Sequence, residues 1–298
     1  MIRIKSGPEG RVEHAHQPVP GHLSGVFVDL LVRASRHAEW DSGVILAARL
    51  AGQLRTGLTA TYVVQGGIPP VWEYDAGVLL AEYAAAIEEQ ALAARASAQA
   101  FEAWAESLGA IAPQWLVAQG HVGDVLRYIG NWHDLLVLAR DDSDLWGSPA
   151  ALASIALQVD LPCLVLPPGK EQLGLDCIAV AWNGSIEAIR ALHGALPLLQ
   201  RAKRIVVLAG KRKTVLPAVP VPEFPLESWF RRHELAVEFE VLDDEADNGA
   251  SIHDAARGAY ADLLVMGAYG RSRFAERVLG GVTRYMLQQG DLPLLIRH

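Results

Sequence analysis

Short runs of uninterrupted apolar residues recur along the chain, separated by longer stretches in which apolar residues return every three or four positions. In the second part the runs are CIAVAW from Cys177, RIVVLAG from Arg204, AVEFEVL from Ala236, ADLLVMG from Ala261 and PLLIRH from Pro293. The stretches between them predict helices over 186–199, 225–233, 251–259 and 279–289. Unbroken apolar strands spaced by helices predict a parallel sheet covered on both faces, since only strands buried on two sides are apolar at every position. In the first part SGVFVDLLV near Ser24 and LTATYVV from Leu58 read as strands. A helical run over 76–109, with a kink or break, makes the middle of this part longer.

The pattern is written twice. DLLVLARDDSDLWGSPAALASIALQVDLPCLVLP from Asp134 parallels DLLVMGAYGRSRFAERVLGGVTRYMLQQGDLPLLIRH from Asp262. Each opens on Asp-Leu-Leu-Val and closes on Asp-Leu-Pro before a final apolar strand. A period of more than a hundred residues is a duplicated domain, not a repeat array. The organisation expected is an arm over 1–22, a first domain over 23–167, a linker PPGKEQLG with its core at 168–174, and a second domain over 175–298. The fold class expected is α/β, with two tandem five-stranded parallel-sheet domains. An apolar strand that ends a sheet leaves an edge open to pairing. LPCLVLP and LPLLIRH therefore predict that the domains cover each other's edges as an intramolecular pseudo-dimer, and a homodimer of the whole chain is compatible with this.

The second copy carries bare backbone where a doubly wound sheet binds ligands, beyond the carboxyl ends of its strands. Gly267 follows LLVM, Gly270 comes three residues later, and Gly280 and Gly281 precede a helix that starts VTRYML. Free N–H groups at a helix start suit an anion, and Thr283 adds a hydroxyl. Arg271, Arg273 and Arg277 lie in the loop between. A polyphosphate fits this set. Spacing alone leaves a second reading open, in which Gly267 and Gly270 make a turn while Gly280 and Gly281 mark a close helix–sheet contact. No Gly-Lys-Ser/Thr follows, so this is not a Walker loop, and the glycines follow a late strand rather than the first.

Gly-x-x-Gly, nine residues, then Gly and a small residue, between DLLVM and LPLLI, resembles the universal stress protein family. From about Ser24 the chain is similar to its tandem two-domain members. The resemblance implies a Rossmann-like, adenine-nucleotide-binding fold. It also implies a site in which Met266, Gly267 and Gly270 line ribose and phosphates. Gly280, Gly281, Val282 and Thr283 would then take the phosphates, Ala181 and Asn183 face adenine or ribose, and Gly210 close the pocket. The ligand implied is ATP, ADP or AMP, with Mg2+. Asn183 stands where the family usually has aspartate, and Gly281 where it has Ser or Thr; Trp182 is large for a pocket rim. If those departures abolish binding, the alternative is an interaction protein with both sites degenerate.

The first copy lacks the glycines. Asp141, Asp142 and Asp144 occupy the corresponding loop and would repel a triphosphate; as solvated loop acids they predict a first domain that binds no ATP in the family's way. Their spacing does not make a calcium loop. Net charge is −8, which argues against a nucleic-acid partner. No apolar run reaches membrane-span length, and the N-terminus has no signal-peptide core, which predicts a cytoplasmic protein. Cys163 and Cys177 read as buried apolar residues, and His14, His16 and His22 as part of an untethered arm. No activated nucleophile, zinc motif or paired carboxylate is present, so the expected role is signalling by ligand occupancy rather than catalysis.

Overall fold

The structure is a computed structural model that describes residues 27–66, 76–210, 225–242, 249–268 and 281–298. The arm over 1–22 lies outside the described residues. The first half runs β1 (Asp29–Ala34), α1 (Ser42–Leu54), β2 (Gly57–Val64), α2 (Ala76–Ala96), α3 (Ala98–Ser107), β3 (Ile111–Gln119), α4 (Val122–Gly130), β4 (Leu135–Ala139), α5 (Pro149–Gln158) and β5 (Cys163–Leu166). The second runs β6 (Cys177–Trp182), α6 (Ile186–Leu199), β7 (Arg204–Gly210), α7 (Leu226–Arg232), β8 (Glu238–Leu242), α8 (Gly249–Gly258), β9 (Leu263–Gly267), α9 (Gly281–Gln289) and β10 (Leu294–Arg297).

All ten strands join one sheet in the order β3-β2-β1-β4-β5-β10-β9-β6-β7-β8. Every neighbouring pair is parallel except β5 with β10, which pair antiparallel with Leu294 opposite Val165, Leu295 opposite Leu164 and Ile296 opposite Cys163. The halves thus meet edge to edge through their last strands, the pseudo-dimer expected from the sequence. Leu164, Leu295 and Ile296 are fully buried there. One core lies between the sheet and α1, α2, α3, α6 and α7, the other between the sheet and α4, α5, α8 and α9.

The repeated Asp-Leu-Leu-Val has a physical reason. Asp134 Oδ2 accepts from the backbone N–H of Val28 at 2.7 Å and of Asp29 at 3.1 Å. Asp262 Oδ2 accepts from Asp176 at 2.8 Å and Cys177 at 3.0 Å. Each carboxylate satisfies two donors at the start of its half's first strand and so fixes where that strand begins. The prolines of Asp-Leu-Pro act in parallel: Leu136 N–H donates to Pro162 O and Leu264 N–H to Pro293 O.

Several boundaries differ from the sequence reading. β1 runs over Asp29–Ala34 instead of starting near Ser24. The long helical stretch breaks at Ser97 into α2 and α3. β3 had no strand assigned to it; it is an edge strand interrupted by Pro113, with its register to β2 shifting between Gly57 and Thr59. Beside β3, an aromatic cluster of Trp40, Phe101, Trp104 and Trp115 packs with ring centroids 5.2–6.0 Å apart. Trp132, by contrast, is exposed. Both cysteines are free and buried, and burial pushes the Cys163 thiol up to about 12. Among the described residues no helix is long and apolar enough to cross a membrane.

Candidate functional site

The carboxyl ends of β6, β7 and β9 lie side by side in the second half, with Ala181 opposite Met266 and Trp182 opposite Ala209. Ala181 is half-buried and Gly210, the last residue of β7, is exposed. Beyond β6 the chain turns through Gly184 at φ 71°, a left-handed conformation that a Cβ disfavours. Asn183 Oδ1 accepts from Ser185 N–H at 3.0 Å, and Ser185 Oγ accepts from Ala188 N–H at 3.1 Å, capping α6. The Asn183 carbonyl is therefore engaged within its own turn, while its NH2 group keeps its donors.

Gly267 is bare because α6 lies against it. A Cβ there would sit 2.4 Å from Ala188 N and 2.9 Å from Glu187 Cβ. This is a close helix–sheet contact, a role that the second reading of the glycines gives to Gly280 and Gly281 rather than to Gly267. The first half makes the equivalent contact the other way round: Ala139 holds the strand position, and Gly43 on α1 is the residue whose added Cβ would lie 2.9 Å from Ala139 Cβ.

Met266 is buried in the core shared with α8 and α9, and Ala181 and Val282 pack against the same core. Gly281 begins α9, is exposed, and among the described residues has nothing within 4 Å of where its Cβ would be. Thr283 is buried two residues further on. Ala181, Asn183, Gly210, Met266 and Gly267 thus gather at one sheet edge, and Gly281, Val282 and Thr283 form the first turn of α9. Gly270, Gly280, Arg271, Arg273, Arg277 and the basic stretch 211–213 lie outside the described residues.

The first half fills the corresponding edge with itself. By register, Leu30 stands to Leu135 as Ile178 stands to Leu263, so Arg33 occupies the position of Ala181. Arg33 Nη1 lies 2.5 Å from Asp144 Oδ2, with side chains 9% and 21% exposed. The expectation of solvated loop acids is corrected for Asp144, which is paired with Arg33 and mostly covered, while Asp142 is exposed. Asp141 accepts from the Ser143 hydroxyl at 2.6 Å and from its N–H at 2.9 Å, and those bonds hold its carboxyl below the usual carboxylate range. Arg33 was not among the residues singled out from sequence, although a lone cation inside the run DLLVRA is itself a signal.

Residues 176–298 match the family described as the universal stress protein family. Over the whole chain the fold is similar to that of a universal stress protein from Archaeoglobus fulgidus, with a TM-score of 0.59 and 12% identity, covering 90% of this chain and 95% of that one. A functionally unknown protein from Pseudomonas aeruginosa PAO1 is similar at a TM-score of 0.54 and 13% identity, covering 92% and 93%. At these identities the two structures speak to the fold alone. No curated protein matches the sequence.

Proposed function

With residues 176–298 carrying a universal stress protein domain, we propose that the protein is a stress-response protein that binds ATP or a related adenine nucleotide at the carboxyl edge of its second half. The observation that carries this reading is the contrast between two equivalent edges. Where the first half places the Arg33–Asp144 pair, the second places the methyl group of Ala181. One edge is filled by its own charges; at the other Ala181, Gly210 and Gly267 carry no large side chain beside Trp182 and Met266, and α9 starts at the exposed Gly281.

The residues present fit such a ligand. Ala181 and Gly210 set no large side chain at the strand ends where a base and ribose would lie, and the Asn183 NH2 group supplies donors. The first-turn N–H groups of α9 suit phosphate, because no residue of the helix itself accepts from them. Mg2+ would accompany the phosphates. On this reading residues 23–167 are a degenerate domain and 168–174 a linker, and the protein acts in the cytoplasm by reporting nucleotide occupancy rather than by catalysis.

A second reading, an interaction protein with both sites degenerate, draws support from the Asn183 carbonyl being used by Ser185. Titration calorimetry with ATP, ADP and AMP in the presence of Mg2+ separates the two. Saturable heat with any of them supports nucleotide binding, and none at millimolar concentration leaves the interaction protein.

A further inference from the structure

The seam between the halves holds a cavity of about 470 Å³ that neither half could form alone. The first half contributes Phe27, Asn131, His133, Asp160, Leu161 and Pro162 to its lining, and the second contributes His193, Gly194, Pro197 and Arg297. Its volume falls in the range of small-molecule sites, roughly 300–1,000 Å³. It lies on the flank of α6, at the junction of the start of β5 with the end of β10.

The equivalent place on the other side of the junction is taken by the chain itself. Arg49 stands eight residues after the helix cap Asp41, as His193 stands eight after the cap Ser185. Arg49 Nη1 donates to Glu171 O at 3.0 Å and meets its carboxylate at 3.3 Å, while Leu173 is buried in the core beside it. The linker thus covers the α1 flank of the seam, whereas among the described residues the α6 flank keeps a cavity.

Chemistry inside the cavity is lopsided. Phe27, Leu161, Pro162, Leu196 and Pro197 make buried apolar walls. Arg297 supplies a partly exposed cation whose buried Nε has no hydrogen-bond partner among the described residues. Among the described residues it pairs with the Asp160 carboxylate, 3.9 Å away on a side chain that is 94% exposed, and the bond to Asp160 O is long at 3.5 Å. The other carboxylate of the lining, Asp134, is occupied by two backbone N–H groups. A guanidinium whose ion pair is long and whose partner is exposed can exchange that partner for the acid group of an incoming anion. His193, an exposed residue of the lining, lies in the same field: partial desolvation lowers its pKa, and the charges of His233 and Arg297 lower it further.

The geometry points to a second ligand site here, for a small organic anion whose acid group meets Arg297 and whose apolar body lies against Phe27, Leu161 and Pro162. It is separate from the nucleotide reading and does not depend on it. The probe is 8-anilinonaphthalene-1-sulfonate, an aromatic body bearing one acid group, followed by fluorescence on the full chain and competed with benzoate and with inorganic phosphate. Saturable binding that benzoate displaces is expected, weakened about tenfold or more in Arg297→Leu through loss of a charged hydrogen bond and unchanged in Lys203→Met, which removes an exposed cation elsewhere. Asn131→Trp, which narrows the mouth from an exposed position, is expected to weaken it as well and decides the matter if Arg297→Leu does not fold. Displacement by ATP, equal competition by inorganic phosphate and benzoate, or binding that neither pocket variant alters would each overturn the assignment.

Discussion

Arg140, from the first half, reaches across to the second and donates to Gly290 O at 3.0 Å. A second bond from the same nitrogen goes to Leu287 O, also at 3.0 Å. These carbonyls belong to the end of α9, where the last turn has no donors of its own and a cation is favoured. The loop that carries acids instead of glycines in the first half thus supplies the C-terminal cap of the helix whose start forms the candidate phosphate site in the second. Arg140→Met is expected to lower the unfolding free energy by about 2 kcal/mol and to speed amide hydrogen exchange in α9. Equal stability in urea together with unaltered exchange would show that the cap is idle.

The contrast between the two strand edges gives a direct transplant. Ala181→Arg places at the second edge the cation that the first half carries as Arg33, but without an Asp144 to bind it. Its bulk would enter the proposed base and ribose space, so nucleotide heat in calorimetry is expected to disappear while the far-ultraviolet circular dichroism is retained. Retention of wild-type affinity would place the nucleotide elsewhere.

Asp134 and Asp262 each hold two backbone donors. Replacing either by alanine leaves those N–H groups to water or unpaired, and is expected to cost about 2 kcal/mol. The two share no partner, so the double variant is expected to lose the sum within about 0.5 kcal/mol. Urea denaturation of the four proteins checks this, and a double variant no worse than either single one would contradict it.

Those carboxylates also explain what was legible beforehand. The bounds of β6, β7 and α6 could be read from the sequence because apolar runs there end abruptly at polar residues or at a helix-capping serine. β1 could not: SGVFVDLLV is apolar on both sides of the true start, which is set by Asp134 more than a hundred residues away. β3 escaped because Pro113, Gln114 and Gln119 break the apolar run of a strand that lies on the sheet edge. The glycine motif located a candidate edge. What closes the other edge, Arg33 with Asp144, is a tertiary pairing between residues that look unremarkable apart.

Acid sensitivity is expected at Asp291. Burial alone would raise its carboxyl, but the His253 hydrogen bond and the Arg257 charge outweigh that and hold it below the ordinary value of 3.8. A lowered folded value favours the folded state above the unfolded pKa, and that contribution is lost as pH falls through the folded one. Asp29, raised mainly by burial, works in the opposite sense. The difference between wild type and Asp291→Asn isolates the Asp291 part: the stability gap is expected to be widest near neutral pH and to narrow below about pH 4. A gap that stays constant down to pH 2.5 would show that Asp291 contributes nothing through its charge.

β10 lies between β5 and β9 and joins the two halves of the sheet. Removing Leu292–His298 is expected to expose apolar edges on both halves at once, giving aggregates or dimers in size-exclusion chromatography with light scattering. A soluble monomer of the parent's hydrodynamic behaviour would show that the halves hold together by other means.

The contact behind Gly267 carries a wider consequence. Each half needs its first long helix to press against the end of the strand that follows its middle helices, and each leaves room for only one side chain there. The first half places the glycine on the helix and the second places it on the strand. What the two copies have inherited in common at this point is a distance between backbones. Either partner was free to become the small one, so a position-by-position comparison of the copies scores two differences where the packing records a single unchanged fit.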